Sequence, residues 1–269
     1  MNIIKQFYTR HADTITEKRV QSPYPLRRCV HEAQYEAVLA YVVPGMRVLD
    51  AGCGEGTLSL RMAERGAQVT GVDISQPNIT ACKRYARDAH IETVTFQVED
   101  LESLSFADNS FDLVVSSHVL EHLPDFDKGL QEIMRVTTCR AVVAIPTALS
   151  ACSWVQVGHG WFYLKGIRSF IAFPWGILRT LWALVRGADG VDETYGGADV
   201  PHLFRFPWIM KRTIQKCGFR LIEYKADSVC IPYIDRNVSW IAWLNAHRHA
   251  AIIRDCGYGT LYVIEKDAC

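Results

Sequence analysis

The chain has 269 residues, with 29 Lys and Arg balanced by 29 Asp and Glu. That length fits one α/β domain with an insertion, and 49% hydrophobic residues supply enough apolar surface for a packed core. Zero net charge argues against a general nucleic-acid binder, because such proteins draw affinity from a basic excess.

Residues 1 to 24 read as a polar N-terminal arm with a short helix around Ile3 to Tyr8. Met1 to Tyr8 is amphipathic and lacks the long apolar core of a signal peptide. Apolar positions from Leu26 to Val42 repeat at helical spacing, and Pro44-Gly45 ends that helix. Strands and helices then alternate. Strands fall near Arg47–Ala51, Gln68–Asp73, Thr93–Gln97, Phe111–Ser116 and Arg140–Ile145. Helices fall near Thr57–Arg65, Gln76–Asp88 and Phe126–Val136. Such alternation predicts a parallel sheet covered on both faces. The rhythm breaks between Pro146 and Pro201, then resumes with a helix near Pro207–Cys217 and a strand near Phe219–Ser228. A helix over Trp240 to Ile253 and a strand near Thr260–Glu265 follow. No run of apolar residues is long enough for a spanning helix. The nine cysteines form no Cys-x-x-Cys pair and no zinc-spaced cluster, which predicts scattered reduced thiols in a cytosolic protein and no metal.

The chemistry-bearing stretch is Val48-Leu49-Asp50-Ala51-Gly52-Cys53-Gly54-Glu55-Gly56-Thr57. It reads as a buried strand ending in an acid, a glycine turn, and a helix. A dinucleotide site needs Gly-x-Gly-x-x-Gly to seat a pyrophosphate on the helix N-terminus. Here the glycines alternate, and Thr57 holds the place of the third glycine. The acid before the turn suits a cation better than a pyrophosphate. Gly71-Val72-Asp73-Ile74-Ser75 closes a second strand with an acid about twenty residues beyond the first glycine, the reach of a ribose-binding carboxylate. Phe96-Gln97-Val98-Glu99-Asp100 closes a third strand. Phe111 to His118 forms a fourth, followed by Glu121-His122-Leu123-Pro124.

These motifs, in this order, resemble the class I S-adenosylmethionine (SAM)-dependent methyltransferases, in the broad subgroup that includes the ubiquinone and menaquinone methyltransferases. The resemblance covers residues 40 to 146 well. It implies a Rossmann-like α/β fold: a seven-stranded, mostly parallel sheet with helices on both faces, the last strand antiparallel, and an inserted helical cap. The expected division is an arm and helix (1–43), a SAM-binding core (44–146), an aromatic cap (147–205) and a C-terminal completion of the sheet (206–269). For the cofactor, the resemblance implies Asp50 on the methionine amino group and Gly52, Cys53, Gly54 and Gly56 in the turn. Asp73 and Ile74 follow at the ribose, Asp100 and Leu101 at the adenine, and Ser116 and His118 at the sulfonium end. Glu99 replaces Asp100 if the register shifts by one.

Methyl transfer from a sulfonium is an in-line displacement, in which the protein chiefly aligns the reactants and keeps the pocket dry. A base helps when the acceptor is a hydroxyl or an acidic carbon. His118 is the best-placed candidate and His202, before a helix, the second. His122, His159, Asp192, Glu193 and Tyr195 are weaker. The expected function is methyl transfer to a small or lipid-like apolar acceptor at oxygen or carbon. Methylation of a saccharide or lipid-linked glycan stays open, as does a SAM-binding protein without transferase activity. No nucleic-acid partner is expected, and the sequence leaves a homodimer open.

Residues 151 to 188 contain no Asp or Glu, and carry Lys165, Arg168, Arg179 and Arg186 among many aromatics. Trp154, Trp161, Phe162, Tyr163, Phe170, Phe173, Trp175 and Trp182 lie here, with Pro174 and Gly176 expected to break the run. Three readings fit: a lid with its bases in solvent, a wall for an apolar acceptor, or a peripheral contact with a membrane. The last would place the protein at the cytoplasmic face of a membrane. His247 and His249 read as surface residues.

Overall fold

The computed structural model describes residues 3–10, 22–160, 166–193, 200, 202–233 and 238–266. Two helices, α1 (Ile3–Arg10) and α2 (Pro25–Leu39), precede β1 (Arg47–Ala51). Next come α3 (Thr57–Glu64), β2 (Gln68–Asp73), α4 (Gln76–Asp88), β3 (Val94–Val98) and β4 (Phe111–Ser117). A 3-10 turn at Leu120–His122 leads into α5 (Phe126–Val136) and β5 (Thr137–Pro146). The insertion holds α6 (Ala151–Val157), α7 (Ile167–Val185), β6 (Gly190–Asp192) and β7 (Leu203–Arg205). Last come α8 (Pro207–Lys216), β8 (Phe219–Ser228), α9 (Val238–Ala246), α10 (Ala251–Asp255) and β9 (Gly259–Lys266).

The seven-stranded sheet has the order β3-β2-β1-β4-β5-β9-β8. Strands β1 to β5 run parallel, and β9 inserts antiparallel between β5 and β8. Alternate residues of each strand serve opposite faces. Val48, Val69 and Val115 pack with Val38, Met62 and Ile79 on one face. Leu49, Val72 and Val114 pack with Leu130, Ile133, Met210 and Ile214 on the other. Side-chain caps start the helices where the sequence offers them. Ser75 accepts from the Asn78 N–H, Asp125 from Lys128 and Ser150 from Cys152.

Three expectations are corrected. Pro174 and Gly176 do not break the cap: α7 runs through both. Pro174 lies on the exposed side, where water can replace the missing backbone bond. Gly176 is buried against α6, and a Cβ there would stand 1.7 Å from the Trp154 carbonyl oxygen. The glycine therefore makes the helix crossing close; it does not end the helix. The expected helix over Trp240 to Ile253 is two helices, α9 and α10, turned at His247 to Ala250. The expectation of reduced thiols fails among the described residues, where Cys152 and Cys230 are joined by a disulfide with Cα atoms 6.6 Å apart. Trp161, Phe162, Tyr163, Lys165, Tyr195 and Pro201 lie outside the described residues.

Candidate functional site at the carboxyl ends of the strands

In a sheet wound this way, ligands bind beyond the carboxyl ends of the parallel strands, where the strand order reverses. The order reverses between β1 and β4. Asp50 on β1 pairs in register with Gly71 of β2 and Val115 of β4, so the glycine turn, Asp73 and His118 all emerge from the same edge.

The turn after β1 is pinned to β2. The Gly52 and Cys53 N–H groups both donate to the Val72 carbonyl at 2.8 Å. The Gly54 N–H donates to Asp73 Oδ2 at 3.0 Å. Gly54 has φ +53°, and the position its Cβ would take has no heavy atom within 4 Å. At Gly56, by contrast, that position is filled by Cys82 Sγ at 2.9 Å and the Phe96 ring. Gly54 thus faces open space, whereas Gly56 serves internal packing.

Two acids flank this opening, Asp50 buried and Asp73 half-buried. Asp50 accepts from the Ser59 hydroxyl at 2.5 Å. Burial, with a contribution from Asp73, pushes its pKa up to about 6 despite that bond. Asp73 Oδ1 accepts from the Ser75 N–H at 2.8 Å and from Asn78 Nδ2 at 3.4 Å. Burial and the nearby Glu55 raise Asp73 to about 6 against these donors. Two carboxylates held above their ordinary range, beside an open glycine turn, form a site that a cationic ligand stabilises. The residues present therefore fit SAM, whose amino group and sulfonium are both positive.

At the end of β3, Asp100 Oδ1 accepts from the Glu102 N–H at 3.0 Å, and Leu101 is buried. Its rival Glu99 is committed elsewhere, since its carboxylate accepts from the Ser105 hydroxyl at 2.6 Å and the Ser105 N–H at 3.1 Å. Ile74, between Asp73 and the cap Ser75, is half-buried. Ser116 is buried, and its hydroxyl donates to the Ala51 carbonyl at 3.1 Å, a tie between β4 and β1.

His118 takes a left-handed backbone conformation, φ 55°, just past β4. Its N–H donates to the Ala144 carbonyl at 2.8 Å, which fixes the turn. Its Nε2 lies 2.6 Å from Asp227 Oδ2, and its Nδ1 lies 3.6 Å from Glu121 Oε1. Gln34 Nε2 donates to the same Asp227 oxygen at 3.2 Å and lies 2.8 Å from His118 Nε2. Asp227 Oδ1 in turn accepts from the Gly259 N–H at 2.9 Å and the Ser228 hydroxyl at 3.0 Å. Burial opposes charge on the ring, but Asp227 and then Glu121 outweigh it, and the His118 pKa rises to about 9. An imidazole with an acid at each nitrogen is suited to the protonated form.

His202 arrives from the insertion. The β6–β7 ribbon is antiparallel, with Asp192 opposite Leu203, and Thr147 bridges to Arg205 at the end of β5. This places the His202 ring on His122, centroids 4.6 Å apart and planes 18° from parallel. Glu121, His122 and His202 bring one donor atom each within 4.8 Å of one another. Burial works against the Glu121 charge, but His118, His122 and His202 outweigh it, and its pKa is lowered. Glu193 Oε2 stands 3.1 Å from His202 Nδ1. Both sequence candidates, His118 and His202, therefore meet around one buried acid, Glu121. His159 is exposed on the insertion, and His247 and His249 are exposed on the C-terminal helices as expected.

Sequence reasoning missed Gln34, Asp227 and the arm. Gln34 is a polar residue on the buried side of α2, and Asp227 is a fully buried acid near the end of β8; an inward polar residue is the signal each carried. The arm reaches the site through Tyr8. The Tyr8 carbonyl accepts from the Ser75 hydroxyl at 3.3 Å, and its ring meets His122 edge-on with centroids 5.6 Å apart.

A sheet of this order, with its acids and glycine turn at the switch point, defines a Rossmann-like methyltransferase fold. Comparison agrees. Residues 49–145 match the methyltransferase domain family. Along 144 residues the chain is 34% identical to a malonyl-[acyl-carrier protein] O-methyltransferase of Serratia marcescens, covering 53% of this chain and 54% of that protein. It is 41% identical to a ubiquinone biosynthesis O-methyltransferase of Coxiella burnetii over 81 residues, covering 30% of this chain and 34% of that one. The matches thus span about half or less of the curated relatives' length. A magnesium protoporphyrin IX methyltransferase from Synechocystis PCC 6803, solved with bound SAM, shares the fold with a TM-score of 0.59 and 15% identity, over 99% of this chain and 98% of that one. Residues 49–145 are thus similar to a methyltransferase domain, and the chain shares the fold of SAM-dependent methyltransferases.

Proposed function

We propose that this protein transfers the methyl group of SAM to an oxygen of a small or lipid-like apolar acceptor. The observation that carries the reading is His118, fixed between Asp227 and Glu121 at the strand ends that bear Asp50, Gly54 and Asp73. SAM supplies an electrophilic methyl group on a sulfonium. Asp50 would hold its amino group, Asp73 its ribose hydroxyls, and Asp100 with Leu101 its adenine. His118, once it has given up a ring proton to solvent, would act as the base that takes the acceptor's hydroxyl proton. A cation bound at the same edge disfavours a second positive charge, so His118 releases its own proton more readily once the site is filled. Asp227 keeps the ring oriented and compensates the charge it gains. Two of the similar curated proteins are named O-methyltransferases, which favours oxygen over carbon. The aromatic insertion favours an apolar acceptor.

The test is turnover of labelled SAM with a panel of phenolic, fatty-acyl and isoprenoid acceptors. His118→Asn should lower turnover by roughly 10²-fold or more while S-adenosylhomocysteine still binds. Unchanged turnover would remove His118 from the reaction. Failure of the wild type to bind S-adenosylhomocysteine would overturn the reading as a whole.

A further inference from the structure

Helix α7 is packed inside out. The side it turns to the protein carries Ala172, Gly176, Thr180 and Ala183, small residues at spacings of four, four and three. These positions recur on one helical face. The contact they make is close: a Cβ on Gly158 would lie 1.8 Å from the Ala172 carbonyl oxygen. The large apolar residues point the other way. Phe170, Ile171, Trp175, Leu178, Trp182 and Val185 are exposed, Phe170 at 78% and Val185 at 83%. They run along about 22 Å of helix at 1.5 Å per residue. A surface helix of a globular protein normally buries such residues and exposes its polar ones. Contiguous exposed apolar surface of this length marks an interaction site. Helix α9 repeats the pattern. Ile241 joins Ala172 in a shared inner cluster, while Trp240 and Trp243 are exposed.

Charge selects the occupant. Residues 151–188 contain no acid. Arg168 and Arg186 are exposed at the two ends of α7, and the Arg186 guanidinium lies 5.2 Å over the Trp182 ring. Arg179 is already committed, donating to the Val157 and Asp192 carbonyls. A second copy of the chain on this face would bring arginines against arginines with no acid of the helix to pair them. An anionic lipid surface complements both features: apolar side chains enter the acyl boundary and flanking cations meet the headgroups. Among the described residues no helix is long and apolar enough to cross a membrane. The helix would therefore lie in the plane of the interface.

We propose that the outer face of α7 docks this protein on an anionic membrane leaflet. The inference holds whatever the methyl acceptor is. It is tested by co-sedimentation of the full chain with phosphatidylcholine vesicles, with and without added phosphatidylglycerol. Binding is expected to the anionic vesicles and to weaken with salt. Phe170→Glu with Trp182→Glu should lower partitioning by roughly tenfold or more, because the substitutions put charge at the acyl boundary. Arg168→Glu with Arg186→Glu should erase the preference for anionic lipid. All four positions are exposed, so melting temperature and S-adenosylhomocysteine binding should stay unchanged. Wild-type indifference to both vesicles overturns the proposal, and so does vesicle binding that survives all four substitutions. A dimer in light scattering that Phe170→Glu with Trp182→Glu dissolves would also overturn it, by showing that a second copy covers the face.

Discussion

His118 and Asp227 are 109 residues apart in sequence, yet their side chains meet at 2.6 Å. The contact joins the end of β4 to the far side of the sheet. It sets the charge of an imidazole that sits between the cofactor edge and the C-terminal strands.

Removing the charge of Asp227 should lower the His118 pKa. A histidine whose folded pKa stands near 9, against about 6.5 unfolded, adds stability that is fully present below 6.5 and lost as pH rises through 9. That contribution is on the order of 3 kcal/mol or less in the wild type. In Asp227→Asn, thermal melts between pH 6 and pH 10 should lose most of this alkaline decline, and the imidazole resonance should titrate nearer the ordinary value. An unchanged titration would show that Asp227 does not govern His118.

Cofactor binding should weaken in acid. Asp50 and Asp73 titrate near 6 in the empty site, and a bound ammonium group favours their ionised forms. Affinity for S-adenosylhomocysteine should therefore fall as pH drops below about 6, and binding near pH 6 should release protons. Calorimetry in buffers of different ionisation enthalpy reads both effects. Asp50→Asn should flatten the profile; a flat wild-type profile would contradict the assignment.

Stability responds to the same two acids with the same sign as to His118, falling as pH rises, but over a lower pH window. Their raised pKa values cost folded-state stability as pH climbs from 3.8 through about 6. Saturating S-adenosylhomocysteine should offset this cost, so the melting shift it produces should be larger at pH 7 than at pH 5. Equal shifts at both values would count against the two acids as the cofactor's anchors.

Alanine at two glycines should separate binding from folding. Both have φ > 0, so each substitution adds roughly 1 kcal/mol of backbone strain. Gly54→Ala places its methyl in open space and should chiefly weaken S-adenosylhomocysteine binding. Gly56→Ala meets Cys82 and Phe96 and should also lower the melting temperature. The reverse ranking would show that the ligand does not approach at Gly54.

The α6–α7 crossing should be intolerant of any side chain. A methyl at Gly176 or Gly158 would overlap a carbonyl of the facing helix by more than an ångström. Gly176→Ala should cost on the order of 1–3 kcal/mol, read by denaturant unfolding. A neutral effect would mean that the helices can separate freely.

The elements legible in sequence were those with local signatures. The Asp50 to Thr57 turn, the acids ending β2 and β3, and the alternation of strand and helix are all written within short windows. Asp227 and Gln34 were not legible, because a buried polar residue declares its partner only after distant segments meet. Cys152 and Cys230 carried no spacing signal, being 78 residues apart. Pro174 was misread because breaker residues count against a helix only where their backbone groups would otherwise be buried and paired. The small stripe from Ala172 to Ala183 was not read from the sequence, where the aromatics and the two breakers drew the reading instead.

The antiparallel placement of β9 has a consequence in time. Gly259, which holds Asp227 in position through its backbone N–H, belongs to the last strand of the sheet to be synthesised. A nascent chain can carry the glycine turn, the cofactor acids and His118 long before Asp227 is locked beside that histidine. Until β9 slides between β5 and β8, Asp227 lacks the backbone donor that holds it beside the imidazole. The finished sheet, in this sense, fixes the charge of the site, since the strand made last holds the imidazole's counterion in place.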